Sequence, residues 1–195
     1  MKQAVTRKGS VGAIRIIAGQ WRGRKLPVLE KEGLRPTTDR TKETLFNWLA
    51  PYIDNRVCLD AFAGSGSLGF EALSRRAAKV TFVEQDRQVA NQLQKNLATL
   101  GLSADQARVI QDNLLSFLHG AKETYGLVFL DPPFGKGLLQ KSIDVLEQQG
   151  LLSEGALIYL ECEVSLPLSV PANWQLLKQK QTKQVSYSLY LKETL

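Results

Sequence analysis

Val57-Cys58-Leu59-Asp60-Ala61-Phe62-Ala63-Gly64-Ser65-Gly66-Ser67-Leu68-Gly69 is an apolar run that breaks into a glycine loop. Residues 57–62 suit one buried strand, and a helical pattern follows the loop to about residue 77. Gly64, Gly66 and Gly69 fit G-x-G-x-x-G, a spacing that lets the backbone turn tightly and lie close against a ligand. Glu84 stands about 20 residues further on, at the end of a second strand over 80–84, where an acid accepts hydrogen bonds from a ribose diol. Strand, glycine loop, helix and spaced acid agree on a nucleotide-like cofactor held at the carboxyl edge of a parallel sheet.

The pattern continues outward from this unit. Val89, Leu93, Leu97 and Leu100 mark one face of a helix that Gly101 closes. Strands are expected over 108–111, 127–130 and 156–160. Between them lie a short helix with Leu114, Phe117 and Leu118, and another with Leu139, Ile143 and Leu146. Runs over 174–180 and 185–191 read as a hairpin, the second alternating through Val185, Tyr187, Leu189 and Leu191. Five strand–helix units closed by a hairpin predict an α/β fold: a mostly parallel seven-stranded sheet with an antiparallel C-terminal edge. Ahead of it, 14–17 and 25–28 read as two short strands. A helix with Thr or Asp as N-cap then carries Leu45, Trp48, Leu49 and Tyr52 on one face. The expected division is a basic N-terminal unit, 1–52, and a catalytic domain, 53–195.

The chain has 195 residues, 44% apolar and 23% charged, which fits one domain with a small appendage. No apolar run approaches the roughly 18 residues of a membrane span. Residues 1–12 are polar and basic, without the apolar segment of a secretory signal, so a cytoplasmic protein is expected. Cys58 and Cys162 fall in strands expected to be buried, without CxxC spacing, and His119 is the sole histidine. No metal site is expected, and both thiols read as reduced packing residues.

Charge is uneven. Of the net +6, residues 1–42 hold eleven Lys/Arg against three acids, a net +8 that leaves −2 for the remainder. A basic block on a near-neutral body suits a polyanion. Trp21 lies among Arg22, Arg24 and Lys25, with Arg15, Arg35 and Arg40 nearby, the mixture of stacking surface and cations found in RNA-binding segments. Trp21 is equally placed to be the hairpin's own small core.

Asp131-Pro132-Pro133-Phe134 ends the 127–130 strand. Two prolines remove two donors and fix two φ angles, giving a stiff exit from the sheet. It holds a carboxylate, carbonyl acceptors and an aromatic ring together, which suits a flat substrate with an amino group; a proline-capped strand end with Phe134 buried is the plainer alternative. The cofactor can be narrowed further. Asp60 beside the loop would repel the pyrophosphate of NAD but suits the ammonium of S-adenosylmethionine. No placed hydride-transfer acid or base is evident. Asp112 or Asn113, after the third strand, could bond the adenine amino group.

Asp60-x-Phe62-x-Gly64-x-Gly66, Glu84 and Asp131-Pro132-Pro133-Phe134 together resemble the Rossmann-like class I methyltransferases that modify exocyclic amino groups of bases. Within them, 15–26 (Arg-Ile-Ile-Ala-Gly-Gln-Trp-Arg-Gly-Arg-Lys-Leu), 34–40 (Leu-Arg-Pro-Thr-Thr-Asp-Arg) and 43–47 (Glu-Thr-Leu-Phe-Asn) resemble one family. It is the bacterial 16S rRNA guanine-N2 methyltransferase family, which acts on G966 in the head of the small ribosomal subunit. The resemblance runs from about Ile14 to Leu191. It implies S-adenosylmethionine as cofactor and 16S rRNA or the small subunit as partner; the sequence is silent on oligomeric state, and a monomer is the default expectation. It further implies that Asp60, Phe62, Gly64 and Gly66 line the methionine end, that Glu84 holds the ribose, that Asp112 or Asn113 meets the adenine, and that Ser65 and Gln85 also belong to the cofactor site. Asp131 and the Pro132 carbonyl would accept from the guanine amino group, with Phe134 stacked on the flipped base. Arg35, Thr37 and Asp39 would close over the cofactor or the base. A DNA adenine-N6 methyltransferase shares the tetrapeptide and glycine loop and stands as the alternative, beside a non-catalytic RNA-binding assembly factor.

Overall fold

The computed structural model describes residues 11–29 and 38–193. Nine strands and five helices occur among them. The chain opens with β1 (Val11–Arg15), β2 (Lys25–Leu29) and α1 (Asp39–Leu49). Strand–helix alternation follows: β3 (Val57–Asp60), α2 (Ser67–Ser74), β4 (Lys79–Glu84), α3 (Arg87–Thr99), β5 (Ala107–Gln111) and α4 (Leu114–Gly120). It continues with β6 (Tyr125–Leu130), α5 (Leu138–Gln148) and β7 (Leu152–Glu163), and ends in β8 (Trp174–Gln181) and β9 (Val185–Lys192). β1 and β2 form an antiparallel ribbon, and the other seven strands form one sheet in the order β5-β4-β3-β6-β7-β9-β8. β3 to β7 run parallel, and β9 joins β7 antiparallel with β8 at the edge. This is the expected architecture.

Period-two alternation splits the core cleanly. Cys58, Phe82, Leu127, Phe129, Leu157 and Tyr159 face a cluster with Leu45, Phe46 and Leu49 of α1, Phe70 of α2 and Leu93 of α3. Leu59, Val83, Val128, Leu130, Ile158 and Leu160 face a second cluster with α4 and α5. Helices therefore cover both faces, as buried parallel strands require. Among the described residues, no helix is long and apolar enough to cross a membrane.

Several boundaries differ from expectation: β7 runs over Leu152–Glu163 rather than 156–160, and α1 ends at Leu49, which leaves Tyr52 exposed beyond it rather than on its buried face. β3 stops at Asp60 rather than residue 62: Ala61 N to Phe129 O is its last rung to β6, and the chain then enters the glycine loop, with Ala63 N still donating to Val83 O. α2 stops at Ser74 rather than near 77, with Arg76 at φ 70. The first ribbon strand ends at Arg15, because the amides of Ile17 and Ala18 go to Glu71 instead of a strand partner. Cys58 is fully buried, and burial pushes its thiol pKa up, but Cys162 is only half-buried.

The ribbon is tied to α2 and α3 by polar groups. Glu71, with no exposed surface, accepts from Ile17 N (2.8 Å), Ala18 N (3.0 Å) and Arg75 Nε (2.8 Å). Ser74 Oγ donates to Ala18 O at 2.6 Å, and Asn96 Nδ2 donates to Pro27 O at 2.9 Å. Gly19, at φ +83, sits where a Cβ would lie 1.9 Å from Ser74 O, so only glycine fits this approach. Glu71→Ala leaves two amides without their acceptor and should cost about 3–5 kcal/mol in urea unfolding. Asp54→Ala, which breaks an ion pair whose side chains are 64% and 76% exposed, should cost less than about 1 kcal/mol.

Candidate active site

The strand order reverses between β3 and β6, and ligands bind outside the carboxyl ends of strands at such a point. A cavity of about 1190 Å³ opens there. Asp60 ends β3, where its register partner on β6 is Phe129, so Asp131 lies two residues beyond that pairing on the neighbouring strand. The glycine loop forms one wall. Gly64 and Gly66 have φ of 51° and 76°, Gly66 caps α2, and a Cβ on Gly69 would lie 2.2 Å from the Phe82 ring. Gly69 thus lets the helix approach the sheet, while the first two glycines shape the turn.

Phe62, Gly64, Ser65, Glu84 and Gln85 line the cavity, as do Asp60, Asp112, Asn113, Asp131, Pro132 and Phe134. Asp60 is 3% exposed, and its Oδ2 accepts from Gly69 N at 2.9 Å. Burial pushes its pKa up to about 7, the Gly69 amide partly offsets this, and nearby Glu84 raises it further. Glu84 Oε2 accepts from Gly64 N (2.9 Å) and Oε1 from Asp86 N (2.7 Å), which fixes the carboxylate across the loop. A carboxylate has about four acceptor sites, so these two bonds do not saturate it. Asn113 Oδ1 caps α4 through Leu115 N at 3.0 Å, whereas Asp112 Oδ1 takes only the adjacent Asn113 N at 2.7 Å. Ser67 Oγ, in a residue 6% exposed at the start of α2, also lines the cavity and has no hydrogen-bond partner among the described residues.

At the other end, Phe134 is 39% exposed, so the plainer expectation of a buried ring does not hold. Asp39 does not line the cavity. It is exposed and lies 3.5 Å from Lys42 Nζ, while Thr38 and Thr41 beside it do line the wall. Arg35 and Thr37 lie outside the described residues. Arg15, Arg22, Arg24, Lys25 and Arg40 are all exposed, and Trp21 is half-buried against the first core cluster.

Lys136, Glu161 and Tyr187 also line the cavity and were not anticipated. Glu161 stands near the carboxyl end of β7, opposite Tyr187 on β9. The rule that parallel strand ends meet ligands could have found Glu161. Tyr187 needed the β7–β9 register, which the sequence alone does not state.

A family model described as conserved hypothetical protein 95 matches residues 14–191. A Haemophilus influenzae protein named ribosomal RNA small subunit methyltransferase D is 60% identical over 181 residues, 92% of this chain and 94% of that one. An Escherichia coli K12 protein of the same name is 58% identical over 183 residues, covering 93% and 91%. A solved Escherichia coli structure superposes with a TM-score of 0.86 at 56% identity, covering 93% of this chain and 99% of that one. With its switch-point cavity and glycine loop, the chain belongs to the conserved hypothetical protein 95 family and is a methyltransferase with the Rossmann-like class I fold.

Proposed function

We propose that the chain methylates the exocyclic N2 of a guanine, G966, in 16S rRNA of the small ribosomal subunit. The observation that carries this is the Asp131-Pro132-Pro133-Phe134 exit, which borders the cavity with its carboxylate while the Phe134 ring stands exposed. The names of the relatives support ribosomal RNA as the substrate. In this reading the enzyme works as a cytoplasmic monomer. Residues 1–52 form the RNA-contacting unit, with Arg15, Arg22, Arg24, Lys25 and Arg40 seeking phosphates, and the catalytic domain spans 53–195.

The residues fit the cofactor. Glu84 would receive the ribose hydroxyls, and Asp60 the ammonium. Asp112 would receive the adenine amino group, because the Asn113 oxygen is already used as a helix cap. A polar ligand atom at the start of α2 would satisfy Ser67 Oγ. Bound there, S-adenosylmethionine supplies an electrophilic methyl group.

The chain's own task is to present a poor nucleophile. The guanine amino lone pair is delocalised into the ring. The Asp131 carboxylate and Pro132 carbonyl would accept its two N–H groups, which favours a lone pair directed at the methyl. Positioning and electrostatics suffice, and no covalent intermediate is needed. The base must be flipped or unpaired to reach the cavity, and stacking on Phe134 offsets part of that cost.

Transfer of labelled methyl to small subunits, free 16S rRNA and duplex DNA tests the reading, with nuclease mapping of the product. Label at guanine N2 in ribosomal RNA is expected; label only at DNA adenine would replace this reading with the alternative. Asp131→Ala should abolish turnover while cofactor binding stays within about twofold, and Phe134→Ala should lower kcat/KM by about 1–3 kcal/mol, roughly 5- to 150-fold. Loss of cofactor binding in Asp131→Ala would make that residue structural.

Asp60 yields a pH dependence. Its folded pKa, about 7, lies above the ordinary 3.8, so its contribution to stability is present below about pH 4 and lost as pH rises through 7. A cofactor ammonium beside it favours the charged form. Binding at pH 6 should therefore release protons, and affinity should rise between pH 6 and 8. Calorimetry in buffers of different ionisation enthalpy measures this, with Asp60→Asn abolishing the release. Proton uptake by the parent protein would place the ammonium elsewhere.

A further inference from the structure

We propose that Glu161 selects guanine by accepting the N1–H of the target base, beside the amino group held by Asp131. The inference rests on the guanine-N2 reading above and extends it to how the base is identified. Three neighbouring strands bring the groups together. Phe129 pairs with Tyr159, and Tyr159 with Leu189. One row further toward the cavity, Glu161 pairs with Tyr187, and Asp131 follows Leu130, the partner of Leu160. Neighbouring strands lie about 4.8 Å apart, so the two acids sit side by side at one sheet edge. Both line the cavity, as does Tyr187.

Glu161 is also held in place from below. The hydroxyl of Tyr159, a fully buried residue, donates to Glu161 Oε2 at 3.2 Å. Burial, then Glu161 and Asp131, keep the Tyr159 phenol well above its ordinary pKa, so it remains a donor. Phe129 packs edge-on against the Tyr159 ring with centroids 6.4 Å apart, which limits the ring's freedom. A phenol that can only donate here to the acid fixes one carboxylate oxygen, and a carboxylate has about four acceptor sites in all.

The base chemistry fits this pair. Guanine presents two adjacent donors on its Watson–Crick edge, N1–H and the N2 amino group. Adenine presents a donor beside a bare N1, whose lone pair would face the Glu161 carboxylate. Ionised carboxylates only accept, so two adjacent acids recognise two adjacent donors and reject a donor–acceptor edge. Sites built around a substrate N–H reject analogues lacking it far more strongly than apolar pockets do.

The test uses small subunits reconstituted on 16S rRNA ligated around a synthetic segment with guanine or 2-aminopurine at the target. 2-Aminopurine keeps the amino group but has a bare N1. The parent enzyme should prefer guanine by at least about 100-fold in kcat/KM. Glu161→Gln, whose amide can donate to a bare N1, should reduce that preference at least tenfold, losing on guanine and gaining on 2-aminopurine. Glu161→Met should lose at least tenfold on guanine and gain nothing on 2-aminopurine. Cofactor affinity should be unchanged in both variants. An unaltered preference in Glu161→Gln with guanine turnover retained overturns the proposal, as does loss of cofactor binding in both variants. A parent enzyme inactive on guanine but active on adenine overturns the guanine reading itself.

Discussion

A buried carboxylate anchors the N-terminal ribbon to the sheet's first helix. Glu71 has no exposed surface, and an ion so placed is tolerated only when donors replace its water. It has three: the Ile17 and Ala18 amides from the ribbon and the Arg75 guanidinium from its own helix. Arg75 also lies 4.9 Å over the Phe46 ring, which links the same network to α1. The helix that carries Glu71 is only eight residues long. Its first turn faces the cavity behind the glycine loop, and its last turn holds the basic ribbon. This short element therefore sets one end of the ribbon relative to the cavity, while Asn96 of α3 holds Pro27 O at 2.9 Å and Lys42 of α1 holds Arg15 O at 2.6 Å.

The arrangement separates charge by location. The ribbon's cations point outward, while Asp60, Glu84, Asp112, Asp131 and Glu161 line the cavity. Among its described lining residues, Lys136 is the one basic side chain. A protein of net +6 thus contains an acidic interior, attractive to a polyanion outside and hostile to phosphate inside.

Much of this was legible because periodicity reports burial directly. The alternation of Leu127, Val128, Phe129 and Leu130 between two core clusters is the pattern that marked a doubly covered strand. The glycine spacing and Glu84 were legible for a different reason, since a tight turn and a spaced acid have few other uses. The misread boundaries have a common cause. Ala61 and Phe62 continue the apolar run of β3, and only the pairing with strands distant in sequence, whose last register partner is Asp60, shows where the ladder ends. α2 ends at Ser74 without a glycine, and Arg76 two residues on takes the left-handed conformation, so no residue type announced the end. Glu161 was hidden as a lone acid after an apolar strand; its meaning depends on Asp131 and Tyr187, supplied by two other strands. Asp112 and Asn113 could be ranked only once the Asn113 side chain was seen capping α4.

The same charge separation constrains how the proposed substrate must arrive. A nucleotide carries its negative charge on the backbone and its donors on the base edge. Acids at the base end and acids at the cofactor end both oppose a phosphate inside the cavity, and both favour a donor edge or a cation. The backbone must then remain on the outer surface, where the exposed arginines of the ribbon lie, while the base alone projects inward past Phe134. A base still paired in a duplex cannot do this, because its donors are occupied and its phosphates would have to enter with it. In the proposed reaction, extrusion of an unpaired base thus follows from the electrostatics of the cavity, and the exposed Phe134 ring would supply the stacking partner that the base gives up.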